Sequence, residues 1–244
     1  MEPKLMITKD EGGIAVNSTK YKSLVGELRY LVHTQPDIAF PVDMVRRFMD
    51  GPTVKHLTIV KRILRYIKGT LSFGLIYSRD SRNNFLTGYS DSDLVGHVDD
   101  KKSNGGMVFY LNESVITWVS QNQKCVVLSS CEAEFMAATT VSCQGIWLRK
   151  LLGEITNCYV GHVVLYIDNK SAIDLAKNPV FHGRSKHIDI RYHFIRECVQ
   201  RGKIIIKHIR TDEQRADSLT KALPIAKFER MRRLLGVKDL SKLV

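Results

Sequence analysis

FLTGYSDSDLVGHVDDKKSNGGMVFYLNESVITWVSQ, residues 85–121, contains three short β-rich runs: FLTGYSD, GGMVFYLN and SVITWVSQ. Alternating apolar and polar residues between turn formers read as strands, and three in succession read as an antiparallel meander. The first connection carries Lys101 and Lys102 and a Gly-Gly turn.

Downstream the period changes. SSCEAEFMAATTVSCQGIWLRKLLGEI is a long helix with a serine cap, and Glu132 stands at the capping-box position relative to Ser129. VVLYID is a fourth, buried strand, and NKSAIDLAKN is a short helix closed before Pro179. SKHIDIRYHFIRECVQRG is a basic helix, KIIIKHI a fifth strand, and DEQRADSLTKAL and PIAKFERMRRLLGV are terminal helices. From residue 85 the order is β-β-β-α-β-α-α-β-α. This predicts an α/β fold, a mixed five-stranded sheet flanked by helices.

Upstream, residues 20–70 read as mainly helical. Leu24, Leu28 and Leu31 recur at helical spacing, and Pro36 sets a boundary. In the next helix Leu57, Val60, Ile63, Leu64 and Ile67 predict the buried face, opposite Lys55, Lys61, Arg62, Arg65 and Lys68. The polar stretch RDSRNN, residues 79–84, reads as a linker, giving an expected small helical segment 1–84 and an α/β domain 85–244.

Composition bounds the chemistry. The 244 residues include 37 Lys and Arg against 25 Asp and Glu, a net charge of +12 that suits a polyanionic partner. No run approaches the roughly 18–20 apolar residues of a membrane span, and the N-terminus has no apolar leader region. The expected location is therefore intracellular, cytoplasmic or nuclear, with no membrane partner. Cys125, Cys131, Cys143, Cys158 and Cys198 form no C-x-x-C pair and are expected to be reduced, without zinc. No phosphate loop or nucleophile elbow suggests a small-molecule cofactor.

Four acids stand at informative places in the element order. Asp91 lies at the end of the first strand, Glu134 in the early turns of the long helix, Asp168 at the end of the fourth strand and Asp217 near the start of a late helix. If the first and fourth strands are adjacent and parallel, Asp91 and Asp168 meet at their carboxyl ends, where α/β sheets place their sites. Four carboxylates together require cations, and hard oxygen ligands suit Mg²⁺ or Mn²⁺.

GYSDSDLVGHVDDKKSNGGMVFYL, LSSCEAEFMAA, LYIDNKSAIDLAKNPVFHGRSKHIDIRYHFIRE and DEQRADSLTKALP resemble the ribonuclease H domain of copia-type LTR retrotransposon polyproteins. YKSLVGELRYL, QPDIAF and VKHLTIVKRILRYIKGT resemble the end of the reverse transcriptase that precedes it. The resemblance implies a ribonuclease H-like fold and hydrolysis of the RNA strand of an RNA–DNA hybrid with two Mg²⁺ ions. It places the family's metal-binding acids at Asp91, Glu134, Asp168 and Asp217, with Asp93 as the alternative to Asp91 and Glu132 left to capping. The polymerase fingers and palm are expected to be missing. Leu94 stands where the family has Trp, and RTDEQRAD lacks the loop histidine of cellular ribonucleases H, which leaves leaving-group protonation to water.

Lys186, Arg191, Arg196, Arg201 and Lys203 are the expected nucleic-acid contacts. His187, Asp189 and His193 lack a third ligand at a usual spacing, and HVDD, residues 97–100, mimics a polymerase motif without a palm around it. The competing expectation is a catalytically inactive, nucleic-acid-binding remnant.

Overall fold

Apolar periodicity and caps set the helices. The computed structural model describes residues 7–9, 12–77, 85–94, 101–157, 160–177 and 186–242, with the side chains of 186–190 and 192 left aside. The linker RDSRNN, HVDD, Cys158 and the side chains of Lys186, His187 and Asp189 lie outside the described residues.

Helix α1 is Ser18–Leu31, capped by the Asn17 carboxamide, which accepts from Lys20 N at 2.9 Å. A short 3-10 turn, Pro36–Ile38, leads into α2, Ala39–Arg46, and α3 is Val54–Lys68. The buried face of α3 differs from the expected one. His56, Ile59, Val60 and Ile63 are buried, whereas Leu64 is 39% exposed and Leu57 and Ile67 are only half-buried. His56 goes inside because its ring stacks on Phe48, centroids 4.0 Å apart, and its Nδ1 accepts from Thr53 N at 3.0 Å. These helices share a core built around Tyr21, Val25, Phe48 and Val60.

Strand β1, Phe73–Leu75, is followed by β2, Leu86–Asp93, β3, Asn104–Leu111, and β4, Ser114–Asn122. Helix α4 is Ser130–Thr156, β5 is Val163–Ile167, α5 is Lys170–Lys177, α6 is Lys186–Gln200 and β6 is Ile204–His208. The sheet runs β4-β3-β2-β5-β6. The first three strands are antiparallel, and β5 and β6 are parallel to β2 and to each other. This is the mixed five-stranded sheet that the sequence predicts.

Three local readings are corrected. Gly105 and Gly106 lie inside β3 instead of forming a turn. DEQRADSLTKAL forms turns and one short 3-10 helix, Asp217–Leu219, instead of a regular helix. Beyond α7, Ile225–Leu234, Gly236 at φ +82° turns the chain into β7, Val237–Asp239, which pairs antiparallel with β1. Both strands are three residues long, too short to show a period.

One face of the sheet is apolar: Leu86, Phe109, Val163 and Leu165 pack under α4 with Phe135, Ala138 and Val141. The other face carries Tyr89, Val108 and Tyr110, covered by Ala216, Leu219 and Leu235. The N-terminal helices join this second side. Trp118 Nε1 donates to Val32 O at 2.8 Å, and Arg232 Nη1 donates to Tyr66 OH at 3.1 Å. Among the described residues no helix is long and apolar enough to cross a membrane.

Candidate metal centre

The parallel β2–β5 register pairs Tyr89 with Tyr166. Two residues further on each strand path stand Asp91 and Asp168, so they come abreast by backbone pairing alone. Glu134 reaches them from α4. Ser129 Oγ accepts from Glu132 N at 3.2 Å, and Glu132 Oε2 accepts from Leu128 N at 2.9 Å. Glu132 therefore caps, as expected, and Glu134 is left free to turn into the sheet. Its Oε1 accepts from Ser92 N at 3.0 Å, and its buried Oε2 has no hydrogen-bond partner. Asp91, Glu134 and Asp168 each bring an oxygen within 4.8 Å of the others.

Asp217 arrives by a different route. Gly106 faces Asp91 across the β2–β3 ladder. A Cβ there would sit 2.9 Å from Ala216 O and from Leu219 Cβ, so glycine alone lets the 214–220 segment lie on β3. Gln214 pins that segment by donating to Ser90 O at 2.9 Å. Asp217 is fully buried but stands outside the three-carboxylate group. Lys221 Nζ pairs with its Oδ1 at 2.6 Å and Lys227 Nζ with its Oδ2. Lys221 Nζ is also 3.8 Å from Asp91 Oδ2, which accepts from the Thr220 hydroxyl.

Burial first, and neighbouring charges second, set the proton affinity of these groups. Burial pushes the Asp91 carboxyl up to about 6, with Lys221 opposing and Asp217 adding to the rise. Burial pushes Glu134 up further, and the charges of Asp91 and Asp168 add to it. Burial works against the Lys221 charge, but Asp91 and Asp217 outweigh it and hold its ammonium above the ordinary range. Asp93, the alternative to Asp91, is half-buried and outside the group, its carboxyl raised by burial.

The donor set fits a hard divalent cation: three clustered carboxylates, one buried oxygen without a partner, and proton affinity raised where a cation would reverse it. The two lysines already neutralise Asp217.

The expected nucleic-acid residues fall in different surroundings. Arg191 lines a cleft of about 330 Å³ with Gly106, Gln121, Gln123, Lys124 and Thr140. Gln123 Nε2 joins this cleft to the centre, donating to Ser92 Oγ at 3.0 Å and Ala133 O at 2.7 Å. Arg196 and Lys203 are half-buried. Arg201, exposed, pairs with Glu197 at 2.8 Å. His193 is exposed, and Cys125, Cys131, Cys143 and Cys198 form no disulfide among the described residues.

Sequence reasoning missed Gln214, Thr220 and Lys221 around the centre. One signal was available: Asp217 and Lys221 are four residues apart, a spacing that brings opposite charges together within one helical turn.

Relatives align with the chain over nearly its whole length. The chain is 42% identical over 230 residues, 94% of its length, to the retrovirus-related Pol polyprotein from transposon TNT 1-94 of Nicotiana tabacum. It is 40% identical over 237 residues, 97% of its length, to that from transposon RE1 of Arabidopsis thaliana. It spans 17% and 16% of the lengths of these relatives. A solved LC11-RNase H1 in complex with RNA/DNA hybrid aligns at TM-score 0.40 and 13% identity, covering 55% of this chain and 93% of that one. No protein-family model matches.

Proposed function

We propose that this chain, which belongs to the retrovirus-related Pol polyproteins of copia-type transposons, is a metal-dependent ribonuclease H that hydrolyses the RNA strand of an RNA–DNA hybrid. Residues 85–244 are the nuclease part in this reading and residues 1–84 the end of a reverse transcriptase. The observation that carries it is the convergence of Asp91, Glu134 and Asp168 from two strand ends and one helix.

Those three residues would hold the cation. Bound Mg²⁺ or Mn²⁺, two ions in this reading, would supply an activated water and stabilisation of the leaving oxygen, giving 3′-hydroxyl and 5′-phosphate ends. The protein's own part is placement. Ser92 N–H orients Glu134, Thr220 orients Asp91, and Lys221 supplies a fixed positive charge beside Asp91 and Asp217. Arg191 places a cation in the adjoining cleft for the hybrid backbone, and Lys186, Arg196, Arg201 and Lys203 extend that role along α6 and its end. Recognition rests on backbone and 2′-hydroxyl groups, not on base edges.

A labelled RNA–DNA hybrid incubated with Mg²⁺, Mn²⁺ or EDTA tests this. Cleavage is expected in the first two arms and none in the third, and folded Asp91→Asn should be inactive. Absence of cleavage by the wild-type chain, or wild-type cleavage by Asp91→Asn, would sink the assignment. The ion-paired state of Asp217 favours a second reading, a non-catalytic nucleic-acid binder. Its signature is salt-dependent hybrid binding without cleavage in any metal.

A further inference from the structure

A buried polar path runs from the N-terminal helices to Asp91. On α2, Asp43 accepts from Arg47 Nη2 at 2.6 Å. The same nitrogen donates to Asn104 Oδ1 at 2.7 Å, on the first residue of β3. Asn104 Nδ2 donates to Thr220 O at 3.0 Å, and the Thr220 hydroxyl donates to Asp91 Oδ2. Asp43, Asn104, Thr220 and Asp91 are all buried, and the Arg47 side chain is 8% exposed.

The chemistry gives each link a direction. An asparagine amide has one accepting end and one donating end. A guanidinium can only donate, so Arg47 fixes the Asn104 oxygen toward itself and the NH₂ toward Thr220. Without Arg47 the amide can turn over and oppose its oxygen to the Thr220 carbonyl. The Thr220 carbonyl in turn is an anchor for the residue whose hydroxyl occupies one oxygen of Asp91. A buried Arg–Asp pair is weak evidence of net stabilisation, because both charges must be desolvated. Its defensible role here is geometric: it holds an amide in one orientation at the end of β3.

We infer that Arg47 and Asn104 are positioning residues for the Asp91 carboxylate, so that the helical segment before residue 85 is a working part of the metal centre. This rests on the function proposed above for the reaction, but its first readout is ion binding and does not need turnover. Metal-site residues that orient ligands lose roughly 10–100-fold in metal affinity or activity when replaced.

The test uses the full chain. Mn²⁺ titration calorimetry, hybrid-cleavage kinetics and thermal melting are run on wild type, Arg47→Met, Arg47→Lys and Asn104→Leu. Arg47→Met and Asn104→Leu should weaken Mn²⁺ binding and lower kcat by about 10–100-fold, with KM for the hybrid within about twofold of wild type. Arg47→Lys should recover part of both losses, since its ammonium can still donate to Asn104. Wild-type Mn²⁺ affinity in Arg47→Met and Asn104→Leu, or losses that disappear when each variant is assayed well below its own Tm, would overturn the inference. A change confined to KM would do the same. If wild type binds Mn²⁺ and the variants bind it weakly, but nothing cleaves the hybrid, the ribonuclease reading fails and the positioning role stands. If wild type binds no Mn²⁺, both fall.

Discussion

Glu134 and Asp217 are both buried carboxylates, the first raised by the Asp91 charge and the second raising Asp91, yet they keep opposite company. Asp217 has two ammonium groups, from Lys221 and Lys227. Glu134 has one backbone N–H on one oxygen and nothing on the other, beside two further carboxylates. Burial is common to both, so burial cannot by itself identify a metal ligand. What separates them is whether the protein supplies the neutralising charge. Asp217 has two ammonium partners of its own, whereas the Asp91–Glu134–Asp168 group brings together three carboxylates that could hold a cation.

The largest effect should come from breaking the three-carboxylate group. Asp91→Asn or Asp168→Asn should abolish divalent-ion binding in calorimetry and hybrid cleavage, exceeding the roughly 10–100-fold of second-sphere changes. Asp217→Asn should lose less ion affinity than either. Equal loss in all three would erase the distinction between the two regions.

Removing the compensation from Asp217 comes next. The double variant Lys221→Met, Lys227→Met leaves a fully buried carboxylate unpaired and should cost about 3–5 kcal/mol in chemical denaturation. The lysines are about a third exposed, so the lower end is expected. Mg²⁺ should restore part of that stability if a bare Asp217 can then serve as a ligand. No Mg²⁺ effect would show that its position, as well as its lysines, keeps it out.

The pH response is smaller. Asp91 and Glu134 are both raised, so the folded chain keeps protons that the unfolded chain has released. Their contribution is complete below the ordinary carboxylate range near pH 4 and is lost as pH rises through about 6 for Asp91 and higher for Glu134. Metal-free Tm should therefore fall from pH 5 to pH 8. Glu134→Gln, which still offers an oxygen to Ser92 N–H, should flatten that fall in Tm. The Mg²⁺-induced rise in wild-type Tm should be larger at pH 8 than at pH 5. The opposite order would mean that the ion does not replace protons at these carboxylates.

The smallest effect lies away from both. Leu64 is 39% exposed on α3, and Leu64→Lys should move stability by no more than about 0.5 kcal/mol. A larger loss in a melting curve would restore Leu64 to the buried face expected from its spacing.

Much of this architecture was legible one residue at a time. The alternation over residues 85–121, the long capped helix and the two isolated apolar strands determined the element order, and that order implied a mixed sheet with Asp91 and Asp168 at strand ends. Glu132 and Glu134 could be separated because a cap has a local signature. The α3 face departs from the spacing of its apolar residues because ring stacking on Phe48 and a bond from Thr53 take His56 inside. The β1–β7 pair left no trace, since three-residue strands carry no period and their partners lie over 160 residues apart.

The sequence by itself thus determined strands, helices, caps and the candidate acids, because these depend on neighbours within a few positions. Only the tertiary structure decided which of these acids cluster and which pair with lysines. Lys227 pairs with Asp217 from a different element. Thr220 meets Asp91 across 129 positions, and Arg47 meets Asn104 across 57. Electrostatic compensation depends on distance through space, and here the distance is set by one glycine on β3 that lets the C-terminal segment lie against the sheet.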